Sequence, residues 1–221
     1  MLRLCLAAIA LTLSAAVPAQ AQENEREAGP MSRLLPHLDS YLEIPAEERS
    51  HFRIDYVVGS RNGAAPDEIG LWYFVDDQRT DLALDSRYRI TNLPAADIYA
   101  ENPSVWVNQP PGSMSMNLIF AYDGPVGLSF DQDDLRLGLG QANQAMRQAA
   151  GVASLFAPRL DVLVFVFDGP VPEAVAVHED GRRTALTVQE NRATYRPQDR
   201  NHRNVVRLEF GEAPVRVLFD S

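Results

Sequence analysis

Apolar and polar residues alternate with a period of two over much of this chain. Phe52, Ile54, Tyr56 and Val58 are interleaved with Arg53, Asp55 and Val57, the pattern of a strand with one buried face. Residues 69–75 are apolar enough to predict a strand buried on both faces. So are residues 160–167, where Val162-Leu163-Val164-Phe165-Val166-Phe167 is the most apolar run beyond the first 21 residues; its length and its β-branched and aromatic content predict a central strand. A helical period appears twice. Leu34, Leu35, Leu38 and Leu42 fall on one face of a short helix over 31–42, tempered by Pro36. Ala142, Ala145, Met146, Ala149, Val152, Ala153 and Phe156 recur at three and four residues and predict an amphipathic helix over 140–156. Before it, Leu135, Leu137 and Leu139 alternate and predict a short strand, since Gly138 and Gly140 weaken a backward extension of the helix.

The order of these segments repeats. Leu71 to Val75 leads through the acidic turn Asp76-Asp77-Gln78-Arg79 to Leu82-Ala83-Leu84, and Ala174 to Val177 leads through Glu179-Asp180-Gly181-Arg182 to Leu186-Thr187-Val188. Asp180-Gly181 is a hairpin signal, because both residues adopt positive φ readily. Each series then has an Arg-containing strand (87–90 and 192–196), a proline bend at Pro94 or Pro197, and two closing strands (104–107 with 114–120, and 204–210 with 215–219). The expectation is a β-rich α+β protein: two small antiparallel, sandwich-like β modules flanking a central amphipathic helix and a buried strand. By residue, that places an N-terminal module with its short leading helix at 31–139, the central helix and strand at 140–170, and a C-terminal module at 171–221.

The first residues carry an address rather than a fold. Arg3 precedes an apolar run from Leu4 to Val17, and Ala19-Gln20-Ala21 offers small residues at the two positions read by a signal peptidase. Residues 1–21 are therefore expected to be a signal peptide, too short in its apolar part to span a bilayer, with 22–30 a flexible, charged tail after the cut. The single cysteine, Cys5, lies inside that leader, so the mature chain has no thiol for a disulfide, a nucleophile or a metal site. Every basic residue is Arg and none is Lys, which excludes lysine Schiff-base chemistry. With 20 basic residues against 30 acids and a net charge of −10, the chain is expected to repel nucleic acid and anionic membrane surfaces.

Candidate chemistry is sparse. His37, His51, His178 and His202 show no metal-ligand spacing, and His178 and His202 read as exposed turn residues. Asp131-Gln132-Asp133-Asp134 starts like a calcium loop, but Arg136 stands at the sixth position and Ala142 at the twelfth, so it reads as a solvated turn. Ser129 lacks the second glycine of a nucleophile elbow, because Asp131 stands there. Gly138-Leu139-Gly140 lacks the third glycine of a phosphate loop, because Asn143 stands there. No metal or cofactor is expected. Trp72 and Trp106, each on a strand, are the candidate binding residues, since an exposed indole can stack on a sugar or anchor a protein partner.

The run Asn92-Leu93-Pro94, the stretch from Glu101-Asn102-Pro103 through Trp106 to Pro110-Pro111-Gly112-Ser113-Met114, the helix that follows and the Asp180-Gly181 hairpin together resemble a pattern in exported proteobacterial proteins of unknown function. The resemblance implies an envelope location and brings no catalytic residue. The function expected is that of a soluble, non-enzymatic factor in the periplasm or outside the cell, binding an envelope protein or polysaccharide. The alternative is a hydrolase of an envelope polymer, with two of Asp131, Asp133, Asp134 and His178 converging in a cleft.

Overall fold

The structure, a computed structural model, describes residues 25–150 and 159–221. The expected signal peptide, residues 22–24 of the expected tail and the end of the expected helix at 151–156 lie outside the described residues. The described chain is β-rich, with fourteen strands in three antiparallel sheets and four α-helices. None of those helices is long and apolar enough to cross a membrane.

The first four-stranded sheet joins β1 (Arg26–Pro30), β5 (Ser104–Val107), β3 (Leu71–Val75) and β4 (Gln78–Asp81), in that spatial order. Residues 26–30 are thus a strand, not a loose tail. Their backbone pairs with β5 from Arg26↔Val107 to Pro30↔Ser104, and Arg26 Nε donates to the Gln109 carbonyl at 2.9 Å. The register shifts between Glu27 and Gly29, and Gly29 supplies the φ of 133° at this bulge. Charged composition hid the strand, because β1 is held by backbone pairing rather than by its own apolar face.

The second four-stranded sheet has the order β7 (Ser129–Asp131), β13 (Val205–Phe210), β9 (Ala174–His178) and β10 (Arg183–Ala185). The third has six strands, ordered β11 (Thr187–Gln189), β12 (Arg192–Tyr195), β8 (Val162–Val166), β14 (Arg216–Asp220), β6 (Met114–Tyr122) and β2 (Phe52–Ser60). The chain is therefore not divided into two modules either side of a centre. β2 and β6 from the first half share one sheet with β8, β11, β12 and β14, joined by the pairs Leu218↔Ala121 and Phe219↔Phe120. β7 likewise leaves the expected N-terminal module for the second sheet.

The expected repeat is nevertheless visible in the pairing. In each four-stranded sheet a strand that runs directly into a helix lies outermost (β1, β7), beside a late strand (β5, β13), which lies beside a hairpin (β3–β4, β9–β10). β2 pairs with β6 as β8 pairs with β14. Even the bridges Val57↔Arg89 and Leu84↔Ile90 put the 84–90 loop against β2 where β12 and β11 stand beside β8.

Two helical segments depart from expectation. Residues 31–42 form α1 (Met31–Leu34) and α2 (Leu38–Leu42), parted at Pro36 and at His37, whose φ is 66°. The carbonyls stranded by this break are satisfied from outside: Tyr56 Oη donates to Pro36 O at 2.6 Å and Tyr99 Oη to Leu35 O at 2.9 Å. Between them, α3 spans Ala96–Glu101. Helix α4 runs from Gln132 to Ala150, so Leu135, Leu137 and Leu139 are helical rather than extended. The period of 3.6 prevails because it buries Leu135, Leu139 and Ala142 on one face while Leu137 points out, 47% exposed. Asp131 starts the helix by accepting the Asp133 amide at 2.8 Å.

One core runs through both halves, from Met31, Leu35 and Phe52 to Phe165, Phe210 and Phe219. Edge-to-face contacts carry it across: Tyr122 meets Phe130 at 6.2 Å, and Phe130 meets Phe165 at 5.2 Å. All five residues of β8 are buried, as its composition predicts.

Candidate functional site

The outer face of the first sheet gathers the candidate indoles. Trp72 on β3 lies directly opposite Trp106 on β5, and opposed residues in an antiparallel pair share a face. Glu27 of β1 continues the row on one side and Asp81 of β4 on the other. One step along β3, Phe74 faces Arg79, and its ring meets that of Trp106 at 6.5 Å with planes at 85°.

The two tryptophans differ in what covers them. Arg79 lays its guanidinium 3.9 Å from the centre of the Trp72 ring, so that Trp72 is only 2% exposed. Arg79 is held there by Asp81, with Nε to Oδ1 at 2.7 Å, and by Glu25 at 3.9 Å. Among the described residues no guanidinium stacks on Trp106 in this way, and Trp106 is half-buried. Phe74 beside it is 43% exposed, a departure from the expectation that residues 69–75 are buried on both faces. The alternation Trp72-Tyr73-Phe74 puts Phe74 on the same side as Trp72, but Phe74 was not among the candidate binding residues.

Around these rings the face is polar and charged. Ser104 Oγ donates to Glu27 Oε1 at 2.5 Å, and β4 is an edge strand that carries Arg79 and Asp81. The arrangement offers an apolar anchor point, rimmed by ion pairs and beside the edge strand β4.

Of the residues of the alternative hydrolase reading, Asp131 and Asp133 share one cleft, while Asp134 and His178 lie in two other settings. Asp131 and Asp133 line a polar cleft of ≈ 470 Å³ with Arg136, Glu179 and Arg203, and the Asp131 carboxylate is already used by the Asp133 amide. Asp134 is turned toward His51 Nε2 at 3.7 Å. His178 is buried on β9 rather than exposed at a turn, its Nε2 3.0 Å from Thr184 Oγ1 and its Nδ1 3.1 Å from the Arg203 carbonyl and 2.9 Å from Arg182 Nη2. Among the described residues, no group of three or more His, Cys, Asp or Glu side chains is placed to hold a metal ion.

A second concavity, an apolar groove of ≈ 240 Å³, lies between α2, the β2–β6 pair and α4, lined by Tyr41, Ile44, Leu118, Phe120 and Met146. Compared with protein-family models, curated proteins and solved structures, the chain finds no significant match in any of the three.

Proposed function

We propose that this protein is an exported, soluble, non-enzymatic factor of the bacterial envelope that binds a partner protein through the Trp106–Phe74 face of its first sheet. The observation that carries this reading is the pair itself: two large aromatic rings held in contact on a sheet face, one half-buried and one 43% exposed. Rigid aromatics at the centre of a polar rim are the usual anchors of protein interfaces. The neighbouring edge strand β4 adds backbone groups to which an extended segment can pair. Export follows from the leader sequence at residues 1–21 and from the resemblance to exported proteobacterial proteins.

The test is a pull-down from envelope extract with the mature chain, beginning at Gln22, with mass spectrometry of what is retained. The expected result is a discrete protein recovered by the unaltered chain and reduced at least about tenfold with Trp106→Ala, the loss typical of truncating one interface anchor. Equal recovery with Trp106→Ala and Phe74→Ala would remove this face from the proposal. Retention on purified polysaccharide in place of any protein would change the partner class. Fractionation of cells for a mature form starting at Gln22 checks the location.

A further inference from the structure

The six-stranded sheet turns Phe52, Tyr56, Phe165 and Phe219 into the main core, and its opposite face carries arginines. Arg192 of β12 and Arg216 of β14 are both register partners of Val166 on β8. They therefore rise from the same face, two strand spacings or about 9–10 Å apart. Arg53 shares this face through the pairs Arg53↔Ala121 and Ala121↔Leu218, and Arg89 through its bridge to Val57. Arg87 reaches over from its loop to Asp168, just beyond β8, with Nη2 to Oδ1 at 3.0 Å.

These cations are not equivalent. Arg53 is paired with Asp55 at 3.0 Å and Asp123 at 2.7 Å, and Arg89 with Asp85 at 3.0 Å and Asp55 at 3.5 Å. Among the described residues, Arg192 and Arg216 have no carboxylate within 4.0 Å. Arg216 is half-buried, and its Nε is sealed from solvent with no acceptor. Burial first, then the charge of Arg87, with Arg192 adding to the effect, holds its pKa below the usual arginine value, although Asp55 and Asp85 act on it in the opposite direction. Its register partner on β8 is the apolar Val166, and the acidic groups that act on it, Asp55 and Asp85, are committed to Arg53 and Arg89. A half-desolvated cation without a partner destabilises a fold unless something outside the chain neutralises it.

We propose that Arg216 and Arg192, flanked by Arg87, bind a small oxyanion, a carboxylate or phosphate group carried by a ligand. Of the Arg216 nitrogens only Nε is both sealed and unpartnered, which leaves the terminal nitrogens open to such a group, and a guanidinium fork matches both anions in two-point geometry. This site lies on a different sheet from the Trp106 face and does not depend on it.

Calorimetric titration of the mature chain at low ionic strength, with sodium phosphate in one arm and sodium acetate in the other against a sodium chloride control, tests the proposal. Saturable binding in either arm is expected, and the arm that binds identifies the anion. Arg192→Gln should weaken it at least about tenfold, the factor for one lost charge-assisted hydrogen bond, and Arg216→Gln should do the same if that chain folds. Because Arg192 is exposed, its variant keeps the test valid whatever happens to Arg216→Gln. Arg183→Gln, whose guanidinium pairs with Glu209 and Glu173 on the second sheet, should bind as the unaltered chain does. No saturable heat from either anion, or unchanged affinity in Arg192→Gln, overturns the site.

Discussion

Asp85 shows how a single side chain makes this fold sensitive to acid. Burial raises its pKa, but the amides of Arg89 and Arg87, at 3.0 and 2.9 Å, and the Arg89 guanidinium at 3.0 Å outweigh that and hold the carboxyl below its usual value. A carboxyl more acidic in the folded than in the unfolded chain stabilises the fold fully above the unfolded pKa of about 3.9, and loses that contribution as pH falls through the folded value. Asp85→Asn should therefore lower stability at neutral pH by about 1.5–3 kcal/mol, the range for hydrogen bonds to a charged acceptor. The gap between the two proteins should begin to narrow below about pH 4 and close as pH falls through the lower, folded value. Urea midpoints across that range check it, and a gap that stays constant would mean the carboxylate charge is not the cause. The opposite sign applies to Tyr122, whose hydroxyl burial pushes up to about 12, with Asp134 and Asp131 adding to the effect. It favours the fold below the unfolded value of about 10 and ceases to do so as pH rises toward the folded one. At this scale the sequence nominated Trp72 and Trp106 alike, because both read as large aromatics on short strands. What separates them is Arg79, which reaches the Trp72 ring only because β4 folds back on β3.

Helix α4 is the element where sequence and structure diverge most, and two of its glycines explain why. Leu135, Leu137 and Leu139 fit a strand period as well as a helical one, and Gly138 and Gly140 count against a helix by propensity. Long-range packing settles the matter. A Cβ on Gly138 would stand 2.5 Å from the His51 backbone oxygen and 3.1 Å from the Phe219 ring, so this glycine lets the helix lie against the β2–β6 pair. Gly140, one residue past the next leucine, has nothing within 4 Å. The two positions should therefore respond oppositely to one change. Gly138→Ala is expected to cost about 1–3 kcal/mol through overpacking, more than the gain of about 1 kcal/mol that alanine brings to a helix interior. Gly140→Ala is expected to stabilise by up to about 1 kcal/mol. Chemical denaturation of the two variants decides it; equal shifts would mean that α4 does not approach His51 this closely. The turns after β3 and β9 were legible because their signals are local, an apolar run followed by acidic residues, but the strands that return are Gln78–Asp81 and Arg183–Ala185, earlier than the expected 82–84 and 186–188. Strand β1 and the first two turns of α4 were not legible, since each is specified by a partner distant in sequence: β5 for the one, His51 and Phe219 for the other.

At the scale of the molecule, the repeated pairing order raises the question of whether the halves fold separately. Three observations argue that they do not. The six-stranded sheet is continuous across the β14–β6 pair, the aromatic contacts pass from Tyr122 to Phe130 to Phe165, and a single core cluster includes residues from Met31 to Phe219. Asn143 adds a polar tie, accepting the Leu160 amide at 3.0 Å and donating to its carbonyl at 2.8 Å, so that α4 holds the entry to β8. Splitting the halves would expose the inner faces of β2, β6, β8 and β14 together, and that shared loss is what makes unfolding cooperative. The tryptophans provide a direct probe, because both lie in the first sheet while backbone dichroism reports all three. In a urea titration the fluorescence and far-ultraviolet dichroism transitions should coincide in midpoint and slope. A fluorescence transition that precedes or trails the dichroism would show that the first sheet unfolds on its own, and that the repeated halves had kept independent stability despite the sheet they share.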